Sequence, residues 1–294
     1  MIEIRDLQLL SALARHRHFA KAAEECGISQ PAFSMRIRNL EDRLGVSIVR
    51  RANRFQGLTE EGEMIVLRAR RILDDTKALE QQVQAAKGEI TGTLILGVIP
   101  TAIAFTGQLI KLLQQGHPRI VTRIETMSSN AIQHRLDEGS LDAGITYGDS
   151  IGTDLRQVQP LYDETYVLLT PAHMTEETGP IPWAQVAEFP IILLEPQMQN
   201  RRILDRIFAE QGLHPSVVAE TSEFTAAMVM AREGLAATVV PQILVRALGE
   251  LDGTKALPLI DPEVSKPICL ATLTRDPELP TVQALRSVVT SFRQ

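Results

Sequence analysis

The segment SQPAFSMRIRNLEDRLG, residues 29–45, decides how the first part of this 294-residue chain is interpreted. Ser29 offers a hydroxyl to cap a helix, and Pro31 suits the first helical turn, where backbone amides have no intrahelical partner. Four apolar residues recur at helical spacing and predict a buried stripe: Phe33, Ile37, Leu40 and Leu44. The segment therefore predicts an amphipathic helix with a sharply defined start.

The opposite face of this helix carries small and cationic side chains instead of a uniform set of long charged ones. Its members are Pro31, Ser34, Met35 and Arg38. Small side chains let a helix backbone approach another surface closely, and arginine binds phosphates and guanine edges. We interpret the face as one that contacts DNA; an ordinary solvated face is the alternative.

Two shorter helical patterns precede this segment. One is predicted from about residue 5 to 16 and the other from about residue 19 to 26, where Gly27 ends it. Two short helices joined by a glycine-containing turn form a helix-turn-helix, whose second helix enters the major groove of DNA. The helix that begins after Ser29 is therefore the expected recognition helix.

Charge is unevenly distributed along the chain. The formal net charge is -6, yet residues 1–71 hold 13 Lys and Arg against 9 Asp and Glu, and residues 91–294 hold 15 against 23. The stretch from Arg36 to Arg54 contains six arginines and two acidic residues. Such a basic segment is typical of a phosphate-binding surface.

A basic hairpin and a long helix follow the recognition segment. Residues 46–49 predict a short strand and RRANR, residues 50–54, a basic turn, which together have the form of a wing against the DNA backbone. Thr59 is expected to cap the long helix. A heptad seam runs along it: Ile65, Ala69, Ile72, Thr76, Leu79, Val83 and Ala86. We predict pairing with the same helix of a second subunit; packing on its own domain is the alternative.

Beyond Gly88 and Gly92, a predicted hinge, short apolar runs alternate with helical patterns. The alternation predicts parallel sheets covered on both faces, in two α/β lobes. The predicted strands are TLILGVI (93–99), IVTRIETM (120–127), LDAGITYG (141–148), YVLLTP (166–171), PIILLEP (190–196), VVAETS (217–222) and LAATVVP (235–241). Helices are expected at about 102–115, 130–138, 201–211 and 223–233.

Hydroxyl and amide side chains follow several of these strands, each directly before a predicted helix. They are Thr101, Ser128, Ser129, Gln199, Asn200, Thr221 and Ser222. Ligands of open α/β sheets bind beyond the carboxyl ends of the strands, and helix N-termini attract anions. We predict a shared cleft for a small anion; helix capping is the alternative role of each single residue.

The run FAKAAEECGISQPAFSMRIRNLEDRLGVSIVRR, residues 19–51, followed by LTEEG and a long helix, resembles the winged helix-turn-helix of the LysR-type transcriptional regulators. The resemblance implies an α/β protein overall, with a winged helix-turn-helix DNA-binding domain at 1–58 and a dimerisation helix and hinge at 59–89. Residues 90–294 are then a two-lobed effector-binding domain akin to periplasmic binding proteins. Lobe I is expected at about 90–160 and 268–294, and lobe II at about 161–267.

Together with the faces described above, the resemblance assigns residues to sites. DNA contacts are expected from Gln30, Pro31, Ser34, Met35, Arg36, Arg38, Arg50, Arg51 and Arg54. The effector cleft is expected to be lined by Pro100, Thr101, Ser128, Ser129, Tyr147, Gln199, Asn200 and Phe224. The dimerisation residues are Ile65, Ala69, Ile72, Leu79 and Val83. Two positions depart from the family pattern: Met35 replaces a longer polar or basic residue, and His18 replaces a small capping residue.

The sequence therefore predicts a sequence-specific transcriptional regulator whose DNA-bound arrangement is controlled by a small, anionic effector. Its expected partners are double-stranded DNA, the effector, further copies of the chain in a dimer or tetramer, and RNA polymerase. A cytoplasmic small-molecule-binding protein without regulatory DNA specificity is the alternative. The start MIEIRDLQLL is unlike a signal peptide, and we expect a cytoplasmic location and no membrane partner.

Catalysis is not expected, because the sequence contains no HExxH, G-x-S-x-G or P-loop motif. Glu195 and Glu220 are the pair considered for acid/base work across the cleft. Cys26 and Cys269 lie far apart and in no ligand spacing, so no metal site or cofactor is expected. Core packing is the expected role of Cys26.

Overall fold

The computed structural model describes five ranges of the chain: 2–51, 55–152, 156–249, 251–274 and 276–292, with backbone alone at residues 51 and 292. The chain forms two compact units, each described by itself below: Met1–Ile90 with Arg275–Pro280, and Thr91–Thr274 with Thr281–Gln294. Among the helices in these ranges, none has both the length and the apolar composition that crossing a bilayer requires.

The first unit has the order of elements predicted for a winged helix-turn-helix. Its elements are α1 Ile4–His16, α2 Phe19–Glu25, α3 Gln30–Leu44, β1 Val49–Arg51, β2 Phe55–Leu58 and α4 Glu60–Ala85. The strands β1 and β2 pair antiparallel as a hairpin. The predicted helices and the presence of a hairpin are therefore confirmed. Its first strand begins at Val49, the last residue of the predicted strand, and residues 52–54 of the predicted basic turn lie outside the described residues.

Helix α3 has its predicted start and its predicted buried stripe. The Ser29 hydroxyl accepts a hydrogen bond from the backbone amide of Ala32 at 3.4 Å. Phe33, Ile37 and Leu40 are buried in the core of the unit, and Leu44 packs against it partly buried. Each such side chain contributes about 1.5–3 kcal/mol of burial free energy, which holds the opposite face of α3 outward.

Helix α4 begins as predicted, since the Thr59 hydroxyl accepts from the amide of Gly62 at 2.9 Å. The heptad seam, however, divides into two parts. Ile65 packs against the core of the unit and Ala69 is buried, so both side chains are accommodated within one chain. The later apolar positions of the seam are exposed: Ile72 by 46%, Leu79 by 61% and Val83 by 48%. Ala86 lies just beyond the end of α4.

The second unit contains two sheets with helices. In chain order its elements are β3 Gly92–Val98, α5 Ile103–Gly116, β4 Ile120–Thr126, α6 Ser129–Asp137, β5 Ala143–Tyr147, β6 Arg156–Glu164, β7 Tyr166–Pro171, β8 Ile181–Pro182, α7 Trp183–Val186, β9 Pro190–Leu194, α8 Gln199–Glu210, β10 Ser216–Thr221, α9 Phe224–Arg232, β11 Ala237–Pro241, α10 Gln242–Leu248, β12 Thr254–Ile260, β13 Lys266–Leu273 and α11 Pro280–Phe292. Every predicted strand and helix of this half is present.

The strand orders are β4-β3-β5-β13-β6 in one sheet and β10-β9-β11-β7-β12-β8 in the other, which define lobe I and lobe II. The prediction of purely parallel sheets is wrong. Strand β13 runs antiparallel to β5 and β6, and β7 runs antiparallel to β11 and β12. These are the strands next to the two crossings, because the chain leaves lobe I after Glu164 and returns to it at Lys266.

Candidate functional site

The outward face of α3 is the first candidate site. Gln30, Pro31, Met35 and Arg38 are exposed, and Ser34 is partly so. The amide nitrogen of Gln30 donates to the Ser34 hydroxyl at 3.1 Å, which orders two polar groups at the start of the helix. The predicted DNA-contacting face is therefore a surface of its unit and does not pack into the interior.

Arg36 belongs to an ion-pair network that links α3 to α1. Its guanidinium donates to the Glu3 carboxylate at 2.8 Å and lies 3.4 Å from an oxygen of Asp6. Arg43 binds the other oxygen of Asp6, whose side chain is only 2% exposed. The network fixes the position of α3. In the sequence alone, Asp6 is indistinguishable from an ordinary acidic residue in the first turn of a helix.

The hairpin is connected to α3 through Glu41. One carboxylate oxygen of Glu41 accepts from the amides of Ile48 at 2.8 Å and Val49 at 3.0 Å. Arg50 is exposed on β1. The side chain of Arg51 and the whole of Arg54 lie outside the described residues, so their assigned DNA contacts stay predictions.

His18, which departs from the family pattern, still performs the capping function. Its ring nitrogen Nδ1 accepts from the amide of Lys21 at 3.4 Å, at the start of α2. A histidine nitrogen thus takes the place of a small side-chain oxygen.

A cavity between the two lobes of the second unit is the second candidate site. All eight residues assigned to the effector cleft line it, together with Ile99 and Met198. Thr221 and Ser222, which were also expected at the shared cleft, are not among its lining residues. Its volume is about 20 Å³, room for about one water molecule. The prediction thus brought together residues from five segments of sequence. Their role in binding an effector stays a prediction.

Three helices of eight or more residues begin at this cavity: α6, α8 and α9. Ser128 caps α6 by accepting from the amide of Ala131 at 3.3 Å, so the capping alternative holds for this residue. The residues before α8 and α9, Met198 and Glu223, provide no side-chain cap. First-turn amides and the positive ends of helix dipoles favour an anion at such a place.

Polar atoms on the cavity wall have no hydrogen-bond partner within the described ranges. They are the hydroxyls of Thr101 and Ser129 and both polar atoms of the Asn200 side chain. These residues are 2%, 2% and 4% exposed. Since buried polar groups are almost always hydrogen-bonded in proteins, three such residues on one cavity indicate a site for a polar ligand.

A buried carboxyl lies behind the cavity wall. The hydroxyls of Tyr147 and Tyr166 donate to the same oxygen of Glu164, at 2.8 Å and 3.0 Å. Burial raises the pKa of Glu164 to about 7, although these hydrogen bonds lower it. Burial and the neighbouring Glu164 carboxyl also raise the pKa of Tyr147. Glu164 was not predicted from the sequence, because strand β6, which carries it, was not predicted.

The carboxylate pair considered for catalysis has other partners. Glu220 accepts from Arg201 at 2.7 Å, and Arg201 also binds Asp205 at 2.7 Å. The carboxylate of Glu195 accepts a hydrogen bond from the side-chain amide of Gln197. Each of the two carboxylates thus has its own local partner, an ion pair for Glu220 and a hydrogen bond for Glu195.

The family of the chain follows from its match to two family models. Residues 4–63 match the bacterial regulatory helix-turn-helix protein, lysR family, and residues 87–293 match the LysR substrate binding domain. The chain belongs to the LysR family. These matches confirm the predicted fold class. They leave the alternative, a binding protein without DNA specificity, unsupported.

Similar proteins cover nearly the whole of this LysR-family chain. The hydrogen peroxide-inducible genes activator of Haemophilus influenzae is 30% identical over 280 residues, 92% of this chain and 90% of that protein. A full-length OxyR variant of Pseudomonas aeruginosa has a TM-score of 0.76 and 26% identity, over 100% of this chain and 95% of that one. CbnR complexed with its target DNA has a TM-score of 0.67 and 20% identity, over 99% of both chains.

This LysR-family protein is a DNA-binding transcriptional regulator with an effector-binding domain. Regulators of the family bind DNA and small-molecule effectors and form oligomers. The similar proteins are regulators of transcription.

Proposed function

We propose that this regulator binds a pseudo-palindromic DNA site as a dimer or tetramer and that a small anion in the cleft changes the arrangement of its DNA-binding modules. The convergence of three helix N-termini and three buried, unpartnered polar residues on one cavity carries the effector part of this proposal. A change of arrangement requires the anion to bind one arrangement more tightly than the other.

The DNA contacts come from the outward face of α3 and from the wing. In this proposal Gln30, Ser34 and Met35 meet base edges, and Arg38 and Arg50 meet phosphates. Arg36 has a different primary role, because it is bound to Glu3 and Asp6. It positions α3 for contact.

Dimerisation is assigned to the exposed part of α4. Ile72, Leu79 and Val83 lie on one side of the helix at spacings of seven and four and are about half exposed in the single chain. Pairing two such helices removes this apolar surface from water. Ile65 and Ala69 support the pairing indirectly, by holding the start of α4 on its own unit.

The effector is bound without thiol chemistry. Relatives of the chain are named hydrogen peroxide-inducible genes activators, and peroxide reacts with cysteine thiolates. This chain has two cysteines, and neither lines the cavity: Cys269 is buried in β13 and Cys26 lies in the first unit. Burial also raises the pKa of the Cys26 thiol, which lowers its reactivity. The cleft therefore suits reversible, noncovalent binding.

The remaining parts of the proposal follow from the similarity to transcriptional regulators. The protein acts in the cytoplasm, needs no metal or organic cofactor, carries out no catalysis, and contacts RNA polymerase from its DNA site.

A binding assay tests the function. DNA fragments retained by the purified full-length protein are selected from genomic DNA, and their affinity is measured by fluorescence anisotropy against unrelated DNA. We expect a specific affinity about 10³-fold or more above the nonspecific one, and both affinities weaken as salt increases. Equal affinity for all DNA sequences at every salt concentration contradicts the proposal.

A further inference from the structure

Tyr147 connects the effector cavity to the buried Glu164. The ring of Tyr147 forms part of the cavity wall, and its hydroxyl donates to Glu164 Oε1 at 2.8 Å. The side chains of Thr101 and Asn200, which also line the cavity, lie next to this hydroxyl. Tyr147 therefore lies between a ligand in the cleft and the carboxyl, and Thr101, a second residue of the cavity wall, also lies close to Glu164.

The surroundings of Glu164 disfavour its ionised form. Oε1 accepts two phenolic hydrogen bonds, whereas Oε2 has no partner within the described residues, and the side chain is 1% exposed. A buried carboxylate oxygen without a donor is costly, and protonation removes most of that cost. The hydrogen-bonding geometry and the burial thus both favour the protonated form of Glu164.

The titratable groups around Glu164 are mostly phenols. Tyr147 on β5 and Tyr166 on β7 donate to it, and Tyr162 on its own strand is close enough for the two groups to interact electrostatically. Lys266 lies opposite Glu164 on the neighbouring strand β13, as the sheet register shows. Glu164 forms no ion pair with Lys266 or with any other cation in the described ranges. No ion pair of Glu164 in these ranges therefore offsets a second negative charge beside it.

We infer that an anion bound in the cleft is accompanied by uptake of a proton at Glu164, so that the effector response of this regulator depends on pH. The inference rests on the proposed anionic effector. An anion beside Tyr147 adds negative charge close to Glu164, and like charges favour the protonated carboxyl. The protonation of Glu164 then makes the affinity for the effector depend on the pH of the solution.

The direction of the pH dependence follows from linkage. Glu164 without the anion titrates at about pH 7, and the bound anion moves its pKa upward. Below pH 7 both forms are protonated, and the affinity is constant. Above pH 7 binding requires proton uptake, so the affinity falls by at most about tenfold per pH unit.

Titration calorimetry on the full-length protein tests this inference with formate, acetate and benzoate, which stay ionised from about pH 6 to about pH 9. Because the cavity as described has room for about one water molecule, binding of these anions requires the two lobes to move apart. We expect constant dissociation constants below about pH 7, weaker binding above it, and uptake of up to about one proton, measured in two buffers of different ionisation enthalpy. The proton count comes from the unaltered protein, so it does not depend on how a variant folds.

Two variants sharpen the test. Glu164→Gln is expected to bind with an affinity that no longer changes with pH. Glu223→Gln removes an exposed carboxyl directly before the cavity residue Phe224, and we expect it to keep the pH dependence. Binding of the same strength at all pH values, or pH dependence retained in Glu164→Gln, overturns the coupling alone. No binding of any of the three anions at any pH overturns the anionic effector itself.

Discussion

The outward face of α3 and the cavity between the two lobes are suited to different kinds of partner. The face of α3 presents exposed side chains on a helix whose other side is fixed by Phe33, Ile37 and Leu40. The cleft presents buried polar groups that have no protein partner, at the starts of helices. Exposed side chains suit a large partner whose charge and groove must be matched. Buried, unpartnered groups suit a small molecule that supplies the missing hydrogen bonds.

The substitution with the largest expected effect destabilises the first unit and leaves the second unit unchanged. Phe33→Ala removes a fully buried ring from the core beneath α3 and is expected to destabilise the first unit by about 3–5 kcal/mol. DNA binding should be lost, while the second unit keeps its stability and its ligand. Urea unfolding followed by probes in each unit measures this. Equal destabilisation of both units contradicts the separation.

A second prediction concerns stability in the cleft region. Burial raises the folded-state pKa of Glu164 from 4.5 to about 7, so the unfolded chain loses this proton at lower pH than the folded one does. The contribution of Glu164 to stability therefore falls as pH rises from about 4.5 to 7 and is constant above. Glu164→Gln is expected to be more stable than the unaltered protein at about pH 8 by up to about 3 kcal/mol, with no difference near pH 4.

The control for this effect is Glu223→Gln, since an exposed carboxyl has no comparable burial cost. A stability difference of Glu164→Gln that does not change between these pH values would mean that the carboxyl is ionised throughout. Denaturant unfolding at each pH measures both variants.

The anchoring of α3 gives a smaller effect on the DNA side. Asp6→Ala removes the buried partner of Arg36 and Arg43, with an expected loss of stability of about 1–3 kcal/mol. DNA affinity should fall as well, although Asp6 itself is 2% exposed and cannot meet DNA. Anisotropy at a denaturant concentration where the variant is still folded separates the two effects. Unchanged DNA affinity would show that the network has no positioning role.

The smallest effects distinguish phosphate contacts from base contacts. Arg50→Ala on the wing should weaken binding to all DNA sequences and reduce the dependence of affinity on salt by about one ion. Ser34→Ala should leave that dependence unchanged and reduce the preference for the specific site, by about 1 kcal/mol. Arg51→Ala is expected to act like Arg50→Ala, and Gln30→Ala like Ser34→Ala. If Ser34→Ala reduced the salt dependence and Arg50→Ala reduced the preference for the specific site, the helix would contact phosphates and the wing would contact bases.

The sequence predicted both regions well where a local pattern was present. The helix-turn-helix was predictable because the stripe in α3 has the helical period and Ser29 and Gly45 mark its ends. Tyr147 and Phe224 were assigned from the resemblance to the LysR-type regulators. The other six cleft residues were predictable because they lie at or directly after the ends of apolar strands, where the ligands of α/β sheets bind. Their convergence on one cavity follows from that rule.

The parts that were missed have no such pattern. Strand β6, RQVQPLYDE, contains Pro160 and polar residues on both faces, and it is partly buried along most of its length. Strands β12 and β13 also contain prolines, which favour strand ends and edges and weaken the strand signal. Because these strands were not predicted, Glu164 and the antiparallel strands next to the two crossings were not predicted either. Asp6 was missed because its arginine partners lie on another helix, and Glu41 because its partners are backbone amides, which leave no pattern in the sequence.

The central claim is that the outward face of α3 meets DNA, and photo-crosslinking tests it most directly. Met35 and Leu79 are matched apolar residues, 64% and 61% exposed, on α3 and α4. Each is replaced in turn by photoreactive benzoylphenylalanine in the full-length protein bound to its selected DNA site. The account predicts that position 35 crosslinks to bases of that site and position 79 to a second protein chain. Crosslinking of position 35 to protein alone would contradict it.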